Sequence, residues 1–348
     1  MMITDQKSIS FLLDQGGPIL RWRTAQELIP ANSIIDKEAL YADLLVCPEV
    51  RRWIDLLGRG PVHHSKDSSV ENVLAKLCEY GLQAGPELDA HTLPYCAIGR
   101  DQPYYDMALI LVPFLVRQGY ADEPQVSKWL AQRIDLLYTH ACSADYDLYM
   151  GEAERQSLPA SRQYLHGRPK PFYQLRFNNH WSVLGLPTCY DLYALAYLPK
   201  GDPLTWHKVE SIVSYLLHPA FQETPGGYIW NSKLHRPYAA GRVFLACLPT
   251  YKEPEKLVLF LEMMAQFKCG IASDWFGNGM AHLETFRTER GSYCFPREYL
   301  SEKSGYYLYA GMHMGLGEWP RQTRALELES TFRMLRLKKL AVKSSFTP

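Results

Sequence analysis

The sequence predicts an all-α protein built from helical hairpins. Three observations lead there: short links that pair Pro with an acidic residue recur ahead of helical patterns, the segments between them carry apolar residues at helical spacing, and alternating strand-like runs are nearly absent. With 348 residues and 47% hydrophobic character the chain can bury a large core. It is read as one domain over 1–348, with 141–180 as an irregular flap or insertion.

The links are "VCPEV" at 46–50, "AGPEL" at 84–88, "ADEPQV" at 121–126, "KGDPLT" at 200–205 and "YKEPEK" at 251–256. Proline suits a first helical turn because the amide it lacks would be unbonded there, and an acidic group favours the positive end of the helix. Pro48, Pro86 and Pro124 recur at a period of 38, the repeat length of helical hairpins. Within the repeats, "SSVENVLAKLCEYGL" at 68–82 places Ser68 and Glu71 in capping-box spacing and ends at Gly81, where a left-handed cap is expected. "MALILVPFLV" at 107–116 reads as a helix buried on all sides, and 124–137 as a half-exposed return helix. That asymmetry predicts inner helices walled in by outer ones. The stretch 141–180 lacks a clean period and is rich in Pro, Arg and Tyr, hence the flap.

Hairpins of this length also build open solenoids. "QETPGGY" from Gln222, "RTERGSY" from Arg287 and, more weakly, "QFKCGIA" from Gln266 favour closure. In the first two a long polar side chain is followed four residues later by Gly and six later by Tyr. Here the chain resembles the terpenoid cyclase and prenyltransferase superfamily, whose Q-x-x-x-G-x-W turns tie hairpin to hairpin. The resemblance implies an (α/α) toroid with a central cavity. It carries no catalytic residue across, because no D-x-D-D motif and no matching Asp, Cys and His zinc trio are found.

Thirty-seven basic residues balance thirty-seven acidic ones, which argues against nucleic acid as a partner. Arg333, Arg336, Lys338, Lys339 and Lys343 are read as positive charge complementing the end of a last helix. Eight scattered Cys with no paired spacing predict reduced thiols and no metal, and no cofactor motif is present. No N-terminal basic stretch leads into an apolar core, and the longest apolar run is half a membrane span, so a cytoplasmic protein with no integral membrane segment is expected.

The candidate chemistry lies at the ends of inner helices. "FNNHWSVLGLPTCYDLYALAYLP" at 177–199 holds Thr188 and Asp191 in capping register, yet Asp191 and Tyr190 open an apolar run where a buried carboxyl could donate a proton. "RDQPYYDMAL" repeats the arrangement with Tyr105 and Asp106. Asn178, Asn179 and His180 ahead of Tyr190 resemble the alginate lyase type of polysaccharide lyase, in which Asn neutralises a uronate and His and Tyr move protons. His63 and His64 precede a capped helix, as loop histidines bonded to backbone or as ligands of an anionic group. Trp230, Asp274, His282, Tyr293 and His313 are candidate cavity-lining residues, or interhelical core. Three functions follow as expectations. The first is a terpenoid-cyclase-like enzyme on a bulky apolar ligand with Asp191 as acid. The second is a lyase-like enzyme on acidic glycans through Asn179, His180 and Tyr190. The third is a helical module that binds a ligand or a partner protein without turnover.

Overall fold

The computed structural model describes residues 3–30, 32–97, 107–151, 153, 156, 185–231, 236–300, 302, 307–310, 315–317 and 324–345. In chain order the helices are α1 (Ile3–Gln15), α2 (Pro18–Glu27), α3 (Lys37–Val46), α4 (Pro48–Leu56), α5 (Val70–Glu79), α6 (Pro86–Cys96), α7 (Met107–Arg117) and α8 (Pro124–Ser143). They continue with α9 (Cys189–Tyr197), α10 (Pro203–Leu217), α11 (Pro219–Gln222), α12 (Pro254–Met264), α13 (Lys268–Ile271), α14 (Asp274–Glu284) and α15 (Ala325–Ser345). The all-α expectation holds apart from one antiparallel hairpin, β1 (Gly227–Asn231) with β2 (Arg236–Ala240), in which Gly227 faces Ala240 and Trp230 faces Pro237.

Every Pro-acid link starts a helix: Pro48, Pro86, Pro124, Pro203 and Pro254 are the first residues of α4, α6, α8, α10 and α12. Asp202 caps α10 with bonds from the Leu204 and Thr205 amides at 3.2 and 3.0 Å. Gly81 takes φ +77° after α5, as a left-handed cap requires, and an added Cβ would meet Arg23 Cδ at 2.5 Å. The cap of α5 differs from expectation by one residue. Ser69, not Ser68, accepts the Asn72 amide, which releases the Glu71 carboxylate for another use.

Helices fall into two kinds. All of α5 is buried, as are α7 beyond Met107, most of α9 and α12, and the middle of α15. Fully burying each Leu, Ile or Val of such a helix contributes about 1.5–3 kcal/mol. By contrast α4, α6, α8, α10 and α14 bury a single stripe. The buried helices pack in succession, α5 on α7, α7 on α9, α9 on α12, α12 on α15 and α15 on α2. Trp22 of α2 then reaches Gly81 O at 3.0 Å, just beyond α5. Half-buried helices pack against them, α4 on α5, α6 and α8 on α7, and α14 on α12.

The spaced turns act as ties. Gln222 Nε2 donates to Leu216 O at 2.7 Å near the end of α10, and its Oε1 accepts the Leu248 amide at 2.8 Å. Gly226 and Gly291 take φ +97° and +87°, and Tyr228 and Tyr293 are buried beside them.

Where several buried helices end, a salt-bridge lattice fills the core. Glu79 binds Arg117 at 2.5 Å and Arg333 at 2.6 Å. Arg333 also holds both oxygens of Glu262 at 3.1 Å. Arg336 joins Glu262 to Glu27, and Arg23 joins Glu27 to the Glu79 carbonyl. Arg117 further donates to the Tyr193 hydroxyl and lies 4.5 Å over the Tyr197 ring. Burial alone would lower the pKa of Arg333 and Arg336, but Glu262 with Glu79 or Glu27 raises both above the ordinary guanidinium value. These two arginines therefore correct the sequence expectation: they are buried in the middle of α15 and do not serve as surface charge at its end.

The eight cysteines are all free thiols. Among the described residues no helix is long and apolar enough to cross a membrane. The expected flap at 141–180 lies mostly outside the described residues. Residues 141–143 instead close α8, and beyond them Leu148 is buried and Tyr149 donates to Gly226 O at 2.8 Å.

Candidate functional site

The loop before α5 is fastened to the helix it precedes. The amides of Val70 and Glu71, unbonded within a first turn, donate to Pro61 O and Val62 O at 3.0 Å. Asn72 Nδ2 donates to His64 O at 3.2 Å and Lys66 O at 2.9 Å. This places His63 over the first turn of α5, with Nδ1 2.5 Å from Glu71 Oε2. The other oxygen of Glu71 accepts the hydroxyl of Tyr190, from the first turn of α9. Glu71 is wholly buried, Tyr190 is 1% exposed and the His63 side chain is 23% exposed.

A carboxylate so deeply buried is stable only if its oxygens are bonded, and here an imidazole and a phenol do this. Burial first, and then Glu71, push the Tyr190 phenol well above its ordinary pKa, so it stays protonated and donates. With Nδ1 on Glu71, Nε2 is the ring nitrogen on the far side from the carboxylate. Around the three groups runs an aromatic wall. Tyr307 lies 4.7 Å from the His63 ring and stacks on Tyr309 at 5.1 Å. Phe244 bridges Tyr309 and Tyr190 at 6.2 and 6.1 Å.

Further along α5, Lys76 is 1% exposed; its Nζ donates to Gly315 O and pairs with Glu302 at 2.5 Å. Glu302 and Gly315 line a cleft of about 900 Å³ bounded by the α1–α2 turn, the first residues of α4 and α15, and residues 297–302 and 315–317. Lys76 follows Glu71 by five residues, about 7.5 Å along a helix.

His63 and Tyr190 are thus the two expected site residues that come together. Asp191, expected as a proton donor, sits beside them in sequence but serves elsewhere. Arg133 grips Oδ1 and Oδ2 at 2.8 Å each, while the Thr188 amide and hydroxyl hold Oδ2 at 2.8 and 2.9 Å. At 2% exposure it completes the capping box of α9. His64 is exposed, its Nδ1 accepting the Lys66 amide at 3.1 Å. His282 contacts the Tyr299 hydroxyl at 2.6 Å between the rings of Tyr251 and Phe286. The Tyr293 hydroxyl donates to Glu284 at 2.9 Å and accepts from Lys338 at 2.6 Å, bracing α14 against α15. Asp274 is exposed at the start of α14. Tyr105, Asp106, Asn179, His180 and His313 lie outside the described residues, as does the side chain of Trp230.

Glu71 joins the cluster unannounced by the sequence. Its position three residues after Ser68 marked it as a helix cap, and only the fold brings Tyr190, 119 residues away, onto its oxygen. Among the described residues no group of His, Cys, Asp or Glu could hold a metal ion. No known protein family, no curated protein and no solved structure matches this chain.

Proposed function

We propose that the buried helices α2, α5, α7, α9, α12 and α15 close into an (α/α) toroid, and that the chain is an acid–base enzyme acting on a carbohydrate at its mouth. The closure is supported by the unbroken succession of packed helices and by the Trp22 contact beyond α5. The observation that carries the chemistry is the buried Glu71 carboxylate held between His63 and Tyr190.

In this reading His63 is the catalytic base. It takes a proton at Nε2, and the imidazolium is stabilised by Glu71 at Nδ1. Tyr190 is a positioning residue that fixes the second carboxylate oxygen. The stacked rings of Tyr307 and Tyr309 offer flat faces to sugar rings. A cyclase that begins by protonating an alkene needs a strong acid, and the groups here do not supply one: Tyr190 is less acidic than a free phenol and Asp191 is clamped by Arg133.

The test is product analysis by mass spectrometry after incubation with neutral oligosaccharides, uronic oligosaccharides and isoprenoid diphosphates. A glycan should be consumed. His63→Ala should lower kcat by roughly 10²–10⁴-fold, the typical contribution of a general base. Turnover of an isoprenoid, or wild-type kcat in His63→Ala, would overturn the reading.

A further inference from the structure

We infer that the cleft of about 900 Å³ beside Lys76 is a binding subsite for an uncharged, polyhydroxylated ligand, a neutral oligosaccharide segment. The inference rests on the acid–base reading only in taking this cleft and the His63 cluster to serve the same substrate.

The volume lies within the ~300–1,000 Å³ usual for ligand pockets. The lining separates three ligand chemistries. Anionic ligands gain little because, among the described residues, Glu49, Glu302 and Glu329 line the cleft and the cations near them, Arg297, Arg52 and Lys76, only balance that charge, two of them already paired. A long hydrocarbon is disfavoured, since covering these carboxylates would strip their water. A cation gains little, because the carboxylates are already engaged: Glu302 by Lys76 at 2.5 Å, Glu49 by Arg52 at 2.7 Å, and Glu329 by the Leu316 amide at 2.9 Å. Each carboxylate oxygen has more than one lone pair, so these anchored groups still accept from hydroxyls.

Two helix starts adjoin the same space. α2 and α4 begin at the cleft with Gly17 and Cys47 as N-caps that make no side-chain cap bond. Pro18 and Pro48 lack an amide, so the Ile19 and Glu49 amides are the next first-turn donors. Ile19, Leu300, Leu316 and Leu326 supply an apolar floor. Fixed acceptors, first-turn donors and an apolar floor together match a sugar, whose hydroxyls both donate and accept and whose C–H faces are apolar. Glu329 is only 7% exposed, so one of these acceptors is a charged side chain set deep in the wall. Position supports a shared substrate as well. Lys76, paired with the cleft residue Glu302, and Glu71, bonded to His63, stand five residues apart on the same helix.

The test is calorimetric titration with cellotetraose, maltotetraose, chitotetraose and tetragalacturonate, using wild type, Ala325→Phe, Glu302→Gln and, as a control at a surface ion pair away from the cleft, Lys208→Ala. Ala325, 8% exposed, lines the cleft, so a Phe there fills it. At least one neutral tetrasaccharide should bind wild type and Lys208→Ala alike, and bind tenfold or more weakly to Ala325→Phe. Glu302→Gln, at a 30% exposed side chain, should weaken it several-fold without unfolding the protein. Melting curves confirm that each variant is folded. The inference is overturned if tetragalacturonate binds best, if no neutral sugar binds, or if the folded Ala325→Phe and Glu302→Gln proteins both bind as wild type does. The two proposals fail separately. Intact turnover in His63→Ala with cleft-dependent binding removes the relay alone, and cleft-independent binding with loss of turnover in His63→Ala removes the subsite alone.

Discussion

Replacing Glu79 by Gln takes one carboxylate from a buried set in which Arg23, Arg117, Arg333 and Arg336 face Glu27, Glu79 and Glu262. The variant keeps the side-chain shape, so packing is nearly unchanged and the charge effect is isolated. Glu79 now accepts from Arg117 at 2.5 Å and Arg333 at 2.6 Å, one guanidinium on each oxygen. A glutamine has one oxygen and one NH₂, so one arginine must face a donor. Stranding a buried charge in this way costs about 3–5 kcal/mol. For 348 residues the unfolding entropy is about 0.7 kcal/mol/K, so each kcal/mol moves Tm by roughly 1.4 °C and a fall of about 4–7 °C is expected. Urea unfolding at pH 7 reads the loss as a lower midpoint at constant slope. Arg333→Met in the same background should recover part of it, because the unpaired cation is then gone. A loss below about 1 kcal/mol for Glu79→Gln would refute the reasoning, since a solvated surface pair behaves that way.

Asp191→Asn should destabilise the protein by about 3–5 kcal/mol through Arg133, as for any buried pair losing one partner. It should leave kcat of the folded protein within a few-fold of wild type, and a catalytic collapse without unfolding would restore Asp191 as the acid. The pH dependence of stability has a defined source in Glu27. Burial raises its pKa, but Arg23 and Arg336 outweigh this and lower it from 4.5 to about 2. A depressed carboxyl stabilises the fold above its unfolded pKa, so this contribution is lost as pH falls from about 4.5 toward about 2. Acid titrations of thermal stability should be flatter over that window in Glu27→Gln. Thiol labelling at pH 8, mapped by mass spectrometry, should modify exposed Cys142 early. Cys78, pushed up to about 12 by burial, should react only on unfolding, and fast native labelling of it would contradict the packing of α5.

Local rules located six helix starts among the described residues, and a tertiary contact goes with the one that is displaced. Pro48, Pro86, Pro124, Pro203 and Pro254 act through the chain's own covalent geometry, so each was readable in isolation. Thr188 with Asp191 followed the same local rule. Ser68 and Glu71 carried an equally good local signature, yet the cap moved to Ser69 because His63 and Tyr190 claim the carboxylate. The lattice was illegible for a related reason. Arg23, Glu79, Arg117, Glu262 and Arg333 stand on five helices, and each alone looks like an ordinary helical charge. Arg333 and Arg336 were misplaced because they share a stretch with exposed Lys339 and Lys343. For the candidate site, His63 and Tyr190 were visible as residue types, whereas their common partner depended on a contact spanning 119 positions.

The two arginines of α15 also set an order of events during synthesis. Arg333 meets Glu79 across 254 positions and Arg336 meets Glu27 across 309. At ribosomal speeds of about 5–20 residues per second, Glu79 has emerged tens of seconds before Arg333. Arg117, 38 positions on, takes one oxygen early, but until Arg333 arrives the other must remain wet, and water held there keeps the surrounding apolar helices from sealing. The nascent chain therefore passes through a long interval as an unsealed assembly, the state that holdase chaperones capture.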